Sequence, residues 1–172
     1  GAQLGDAGRI GRAIHVVAVD IPVPVVVEAV VADLRLAGEE AEALGVEALA
    51  ITGDVRDPSA VERTVARTLD SFGRLDILVN GAAGNFLCLA ENLSPNGFGA
   101  VVDIDLKGTF HMCKAALPHL KAHGGVVLNV SATLHYLGTA AQLHVSSAKA
   151  GVDAICCVPP FFYGQSDEAI AR

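Results

Sequence analysis

Lys149 lies in the stretch HVSSAKAG, residues 144–151, flanked by the small side chains of Ser147, Ala148, Ala150 and Gly151. Small neighbours let a bulky cofactor approach an ammonium group; an ordinary surface lysine is the competing reading. Four compact polar residues stand where apolar runs end: Asp20, Asp54, Asn80 and Ser131. Each alone reads equally well as a turn residue. Together they point to one shared crevice at the ends of several strands. Gly5, Gly8 and Gly11 in GAQLGDAGRIG resemble a phosphate-binding turn, in which backbone N–H groups at a helix start receive a pyrophosphate. Such a turn should follow a strand and open a helix, with an acid about twenty residues further on. No apolar run precedes these glycines, and Asp20 follows Gly11 by only nine positions. A first strand and first crossover helix are therefore expected to be missing or cut short.

Positioning these groups calls for alternating strands and helices. HVVAVD, residues 15–20, reads as a buried strand. Residues 25–44 read as a helix, with Glu28, Asp33, Arg35, Glu39, Glu40 and Glu42 on its outer face. VEALAITGDV is a second strand that leaves through Gly53 into Asp54. Asp57 as N-cap, Pro58 at the first helical position and Gly73 as a stop bound another helix. LDILVNGAAG is a third strand entering a small-residue loop. A long helix follows over about 96–122, GGVVLNVSA is a fourth strand, and a further helix begins near Val145. The pattern predicts an α/β fold: a Rossmann-like, doubly wound sheet, its four strands parallel and helices on both faces. Ligands of such sheets bind beyond the carboxyl ends of the strands. Residues 1–172 read as one domain, incomplete at both ends, because the paired prolines of CCVPPFFYG should also stop the last helix early.

Composition narrows the function. The chain has 172 residues, is 52% hydrophobic and carries a net charge of −7. An acidic chain without a basic stripe is a poor nucleic-acid binder. Its six histidines show no metal-ligand spacing, so no metal is expected. Cys88, Cys113, Cys156 and Cys157 form no CxxC pattern, which argues against a disulfide framework and for a reducing compartment. The longest apolar run, IPVPVVVEAVV, is too short and too interrupted to span a membrane.

From about residue 46 to 155 the chain resembles the short-chain dehydrogenase/reductase family. The resemblance is carried by GDV after the second strand read above, by LVNGAAG with Gly81 in place of a second Asn, and by SAKAG around Lys149. NGAAGNFL, SPNGF, VVDIDLKGTF, VSATLHY and HVSSAKAGVDA are most similar to the peroxisomal 2,4-dienoyl-CoA reductases within that family, the fungal form in particular. The resemblance implies that Asp54 and Val55 contact the adenine, that Asn80, Gly81 and Ala82 line the cofactor path, and that Lys149 bonds the nicotinamide ribose. It implies NADPH as cofactor. Asp20, an acid at the end of an early strand, instead favours NADH, since it would repel a 2′-phosphate.

Most members of the family reduce a carbonyl and need a proton on its oxygen, which a tyrosine four residues before the lysine supplies. Here that residue is Val145, and Ala132 replaces the usual serine beside Ser131. Reduction of a 2,4-dienoyl-CoA has another demand. Hydride lands on a carbon that bears no oxygen, and charge moves along the diene to the thioester. The site must stabilise a dienolate and protonate its α-carbon. Val145 fits that chemistry. By resemblance Asp105, in place of a family asparagine, holds or activates the water that delivers the proton; a helix-surface acid is the alternative. On the substrate side stand Phe86 as an apolar wall, Arg56 as a partner for coenzyme A phosphates, and Ser94, Pro95 and Asn96 as a contacting turn. Core packing, a solvated helix start and a helix cap are the respective alternatives. His135, Tyr136 and His144 lie near the expected pocket as supporting residues, since a partly buried histidine is more often structural than catalytic.

The resemblance implies a fatty acyl-CoA substrate, a homo-oligomer in the full-length form and a peroxisomal location, although AIAR at the end is not an SKL-type address. Two other readings stay open: a family member acting on an alcohol or ketone, and a truncated, non-catalytic paralogue.

Overall fold

The computed structural model describes residues 14–20, 24–29 and 47–157. Among them one sheet has five strands: β1 (Ile14–Asp20), β2 (Pro24–Ala29), β3 (Glu47–Gly53), β4 (Ile77–Asn80) and β5 (Val126–Asn129), in the order β3-β1-β2-β4-β5. β2 and β4 are parallel, as are β4 and β5. β1 is antiparallel to both of its neighbours, so the other four strands share one direction. The fold is a Rossmann-like α/β fold with one reversed strand.

Two expectations need correction here. The strand at 15–20 does not run parallel to the one at 47–53, and residues 24–29 are a strand rather than the start of a helix. Only three residues separate β1 from β2. A parallel connection needs a dozen or more residues, so these neighbours must run antiparallel. Val25, Val26 and Val27 are β-branched and favour an extended chain, and Pro24 stands at the first strand position, where proline is tolerated. The rest of the expected helix, residues 30–44, lies outside the described residues.

From β3 onward the elements follow the sequence. α1 (Pro58–Phe72) opens on Asp57, whose side chain accepts from the Ser59 N–H at 2.9 Å. It closes at Gly73, which has φ of 75°, a conformation that costs glycine nothing. Val61, Thr64, Val65 and Thr68 form its buried stripe. The long helix is in three parts: α2 (Pro95–Val102), a π-helical turn (Asp103–Lys107) and α3 (Gly108–His123). The main core joins β4 to α3 through Leu78, Met112, Ala116 and Leu120. Gly108 lets the long helix meet the β3 loop, since a Cβ there would stand 2.5 Å from Val55 Cγ2. After β5 come the short α4 (Leu134–Leu137) and α5 (Leu143–Cys156). None of the described helices is long and apolar enough to cross a membrane.

Candidate active site

Asp105 owes its position to the π-helical turn. The Gly108 N–H bonds the Asp103 carbonyl, five residues back, which widens the helix by one residue. Such single wide turns recur at functional sites. Ile104 and Asp105 are turned inward together, and Thr109 Oγ1 donates to the Asp105 carbonyl at 2.7 Å. The carboxyl group is 0% exposed. Its Oδ1 accepts from the Gly84 N–H at 2.7 Å, and its Oδ2 has no hydrogen-bond partner.

Lys149 comes to the same place from α5. Its Nζ donates to the Val130 carbonyl at 2.9 Å and lies 3.5 Å from Asp105 Oδ2. Lys149 is 6% exposed. Four segments thus meet: the loop after β4, the π turn, the end of β5 and the middle of α5. Burial pushes the Asp105 carboxyl above the usual carboxylate range, against the opposing pull of the Gly84 N–H, the Lys149 ammonium and the His144 ring. A buried acid that holds its proton more tightly than usual, beside a cation, is equipped to store and pass a proton. Val145, one turn before Lys149, is buried against Val101 and Ala148 and offers no donor.

Asn80 ties β4 to β5. Its Nδ2 donates to Asn129 Oδ1 at 2.7 Å and approaches Cys113 Sγ at 3.2 Å. Its Oδ1 is buried without a partner. Gly81 follows half-buried, and Ala82 packs in the main core. At the end of β3, Asp54 is gripped by Arg56: Nε to Oδ1 is 2.9 Å and Nη2 to Oδ2 is 2.6 Å. That pairing holds the Asp54 carboxyl below the usual carboxylate range. Val55 buries its side chain in the core, and its carbonyl lies 2.8 Å from His111 Nδ1.

Asp54, Asn80 and Val130 all stand at the carboxyl-end edge of the sheet, and Val130 anchors Lys149 there. Asp20 does not join them. It pairs in register with Glu47 and Pro24, the first residues of β3 and β2. Reversal of β1 therefore puts Asp20 at the opposite edge of the sheet and removes it from the expected cofactor site. Gly5, Gly8 and Gly11 lie outside the described residues. Ser94 is the N-cap of α2, accepting from the Gly97 N–H at 3.0 Å, with Pro95 following and Asn96 exposed. Phe86 is half-buried and stacks on His144, ring centroids 4.3 Å apart.

Reasoning from the sequence missed Asp153. Tyr136 OH donates to its Oδ2 at 2.6 Å, and His135 Nε2 stands 3.0 Å from the same oxygen. The available signal was spacing, since residue 153 is one helical turn beyond Lys149.

A mostly parallel sheet whose carboxyl-end edge gathers a buried lysine, a buried acid and an asparagine is a Rossmann-like α/β arrangement, the kind of fold whose ligands bind beyond the strands' carboxyl ends. Residues 4–157 match the short chain dehydrogenase family, and the chain belongs to it. It is 54% identical over 120 residues to the peroxisomal 2,4-dienoyl-CoA reductase of Arabidopsis thaliana, covering 64% of this chain and 40% of that protein. Against the peroxisomal enzyme of Saccharomyces cerevisiae it is 53% identical over 102 residues, covering 59% and 35%. A crystal structure of a short chain dehydrogenase from Mycobacterium smegmatis superposes with a TM-score of 0.67 at 27% identity, covering 75% of this chain and 56% of that one. The chain thus spans at most 40% of the length of the two reductases.

Proposed function

We propose that this chain belongs to an NADPH-dependent 2,4-dienoyl-CoA reductase, which forms a 3-enoyl-CoA in the β-oxidation of unsaturated fatty acids. The observation that carries the proposal is the buried Lys149–Asp105 pair beside a valine where carbonyl reduction needs a donor. A nicotinamide cofactor fits the residues present. The unpartnered Asn80 Oδ1 and the Lys149 ammonium can meet nucleotide hydroxyls, and Asp54 with Val55 follows the end of β3, separated from β4 by two strands along the same carboxyl-end edge, for the adenine. When bound, the cofactor supplies hydride to the far carbon of the diene.

Lys149 orients the ribose and sets positive charge near the developing dienolate. Asp105 is the proposed relay, directly or through a water, for the proton bound for the α-carbon, and burial raises its affinity for that proton. Val145 keeps an oxygen-directed donor out of the site. The placing of Asp20 at the far edge of the sheet removes the one acid that argued against a 2′-phosphate, which supports NADPH over NADH. Phe86 is the proposed apolar wall for the acyl chain. Arg56 and the turn at Ser94, Pro95 and Asn96 are the proposed coenzyme A contacts. A fatty acyl-CoA substrate, a peroxisomal location and a homo-oligomeric full-length form rest on likeness to the named relatives.

The test follows NADPH oxidation with a 2,4-dienoyl-CoA beside a panel of ketones. Consumption of the dienoyl-CoA alone supports the reading, and consumption of ketones alone rejects it. One observation favours the non-catalytic alternative: β1 is reversed where the nucleotide-binding half of the sheet should be. A cofactor thermal-shift assay separates the two, because a non-catalytic chain would show no shift.

A further inference from the structure

His144 is 0% exposed, and neither ring nitrogen has a hydrogen-bond partner. A neutral imidazole carries one N–H donor and one acceptor, and leaving both unmet in a protein interior is costly. A histidine that merely fills the core would turn one nitrogen to a carbonyl or hydroxyl. His144 is instead held by its face, stacked on Phe86 with an interplanar angle of 30°.

The loop that supplies Phe86 is pinned on both sides of it. Asn85 Nδ2 donates to Gln142 Oε1 at 2.8 Å, and the Cys88 N–H donates to the Ala141 carbonyl at 3.0 Å. Gly97 leaves room for the ring, since a Cβ there would stand 3.1 Å from Phe86 Cζ. Two residues earlier the same loop gives the Gly84 N–H to Asp105. One short segment therefore fixes both Asp105 and the His144 ring. His144 also directly precedes Val145, the position that lacks a donor.

We propose that His144 donates a hydrogen bond from its ring N–H to the thioester oxygen of the bound acyl-CoA and is a catalytic residue that stabilises the dienolate. The inference rests on the dienoyl-CoA reading above. Hydride adds to the far carbon of the diene as the nicotinamide is oxidised. The electron pair moves through the conjugated chain to the thioester oxygen, where the N–H receives it. The α-carbon then takes a proton from the Asp105 side, the carbonyl re-forms, and the remaining double bond lies between the β and γ carbons. His144 keeps its proton throughout. Phe86, the proposed wall of the acyl channel, holds the ring by its face and so leaves the nitrogen-bearing edge for the thioester oxygen. A fixed donor in a dry site is the arrangement that stabilises an oxyanion most strongly.

Infrared difference spectra of an acyl-CoA carrying a ¹³C-labelled thioester carbonyl, bound to the whole chain, test this. In the wild type the carbonyl band should move to lower frequency on binding. His144→Phe should lose that movement, and His144→Gln, which keeps an N–H donor, should keep part of it. With a dienoyl-CoA, His144→Phe should lower kcat by about 10²–10³-fold, with KM little changed, and His144→Gln should recover part of the loss. ¹⁵N-histidine resonances of the wild type supply a measurement that needs no variant: the His144 ring signal should move when a saturated acyl-CoA is added. An unmoved ring signal, or an equal band movement in His144→Phe, overturns the inference while leaving the dienoyl-CoA reading intact. A wild-type chain that binds no acyl-CoA rejects both.

Discussion

Two aspartates at the carboxyl-end edge of the sheet are paired with cations, and they behave in opposite ways. Asp54 and Arg56 form the shorter pair, 2.6 Å and bidentate, with both side chains about a third exposed. Asp105 and Lys149 form the longer one, 3.5 Å, with almost nothing exposed. The tight pair holds its carboxyl below the usual range, because the guanidinium satisfies both oxygens. The loose pair leaves its carboxyl above that range, because burial outweighs a distant ammonium. Contact distance therefore does not rank these pairs by consequence. The group with an unmet oxygen in a dry place is the one suited to move a proton.

The sharpest way to break this contrast is to change the acid in the buried pair. Asp105→Asn should lower dienoyl-CoA turnover by about 10²–10⁴-fold while leaving cofactor binding nearly intact. A wild-type rate would take Asp105 out of the mechanism. In the same assay Val145→Tyr should bring no gain, since the carbon that receives hydride carries no oxygen. A large gain would mean that the site is a decayed carbonyl reductase.

Removing the cation instead tests stability. Lys149→Met leaves the Asp105 carboxylate buried without its partner and should cost about 3–5 kcal/mol in denaturant unfolding at neutral pH. The cost should shrink in acid, where the carboxyl takes up a proton. The double variant Lys149→Met with Asp105→Asn should recover most of the loss, and failure to do so would place the damage in packing rather than charge.

A pH series sharpens the contrast further. The folded pKa of Asp105 is raised, so between the unfolded value of about 3.9 and the raised value the native state binds more protons than the unfolded one. Its contribution to stability therefore falls as pH rises through that window. Asp105→Asn should flatten this part of a Tm-against-pH curve.

The smallest effect belongs to the exposed pair. Arg56→Ala should cost less than about 1 kcal/mol, since exposed pairs are screened by solvent. The folded pKa of Asp54 is lowered, so the pair's contribution is present above about pH 3.9 and is lost as pH falls through the lower folded value. Urea midpoints at neutral pH and in acid check both statements. An Arg56→Ala cost as large as that of Lys149→Met would end the contrast.

Much of the region after β3 was legible in the chain. Asp57, Pro58 and Gly73 bound α1 as written, because caps are local chemistry that needs no distant partner. Lys149 is buried, and its neighbour Gly151 is small for a packing reason the sequence did not show: a Cβ there would stand 2.8 Å from the Leu106 side chain. The stretch 24–29 misled because its acid and apolar residues suit a helix face as well as a strand, and periodicity cannot separate the two in so short a run. The widening at Asp103–Lys107 leaves no local mark either, since a wide turn reflects what packs around it.

By itself the sequence determined the alternation of elements from β3 onward, the caps, the small-residue loop after β4 and the absence of a donor at position 145, because each depends on neighbours within a few residues. Only the tertiary structure decided the rest. It reversed β1 and so carried Asp20 to the far edge of the sheet, which follows from strand pairing across the chain. It brought Lys149 to within 3.5 Å of Asp105, forty-four positions away, and it left His144 buried with nothing to bond. Burial and unmet hydrogen bonds are properties of a packed interior, set by residues distant in the chain, and no local pattern contains them.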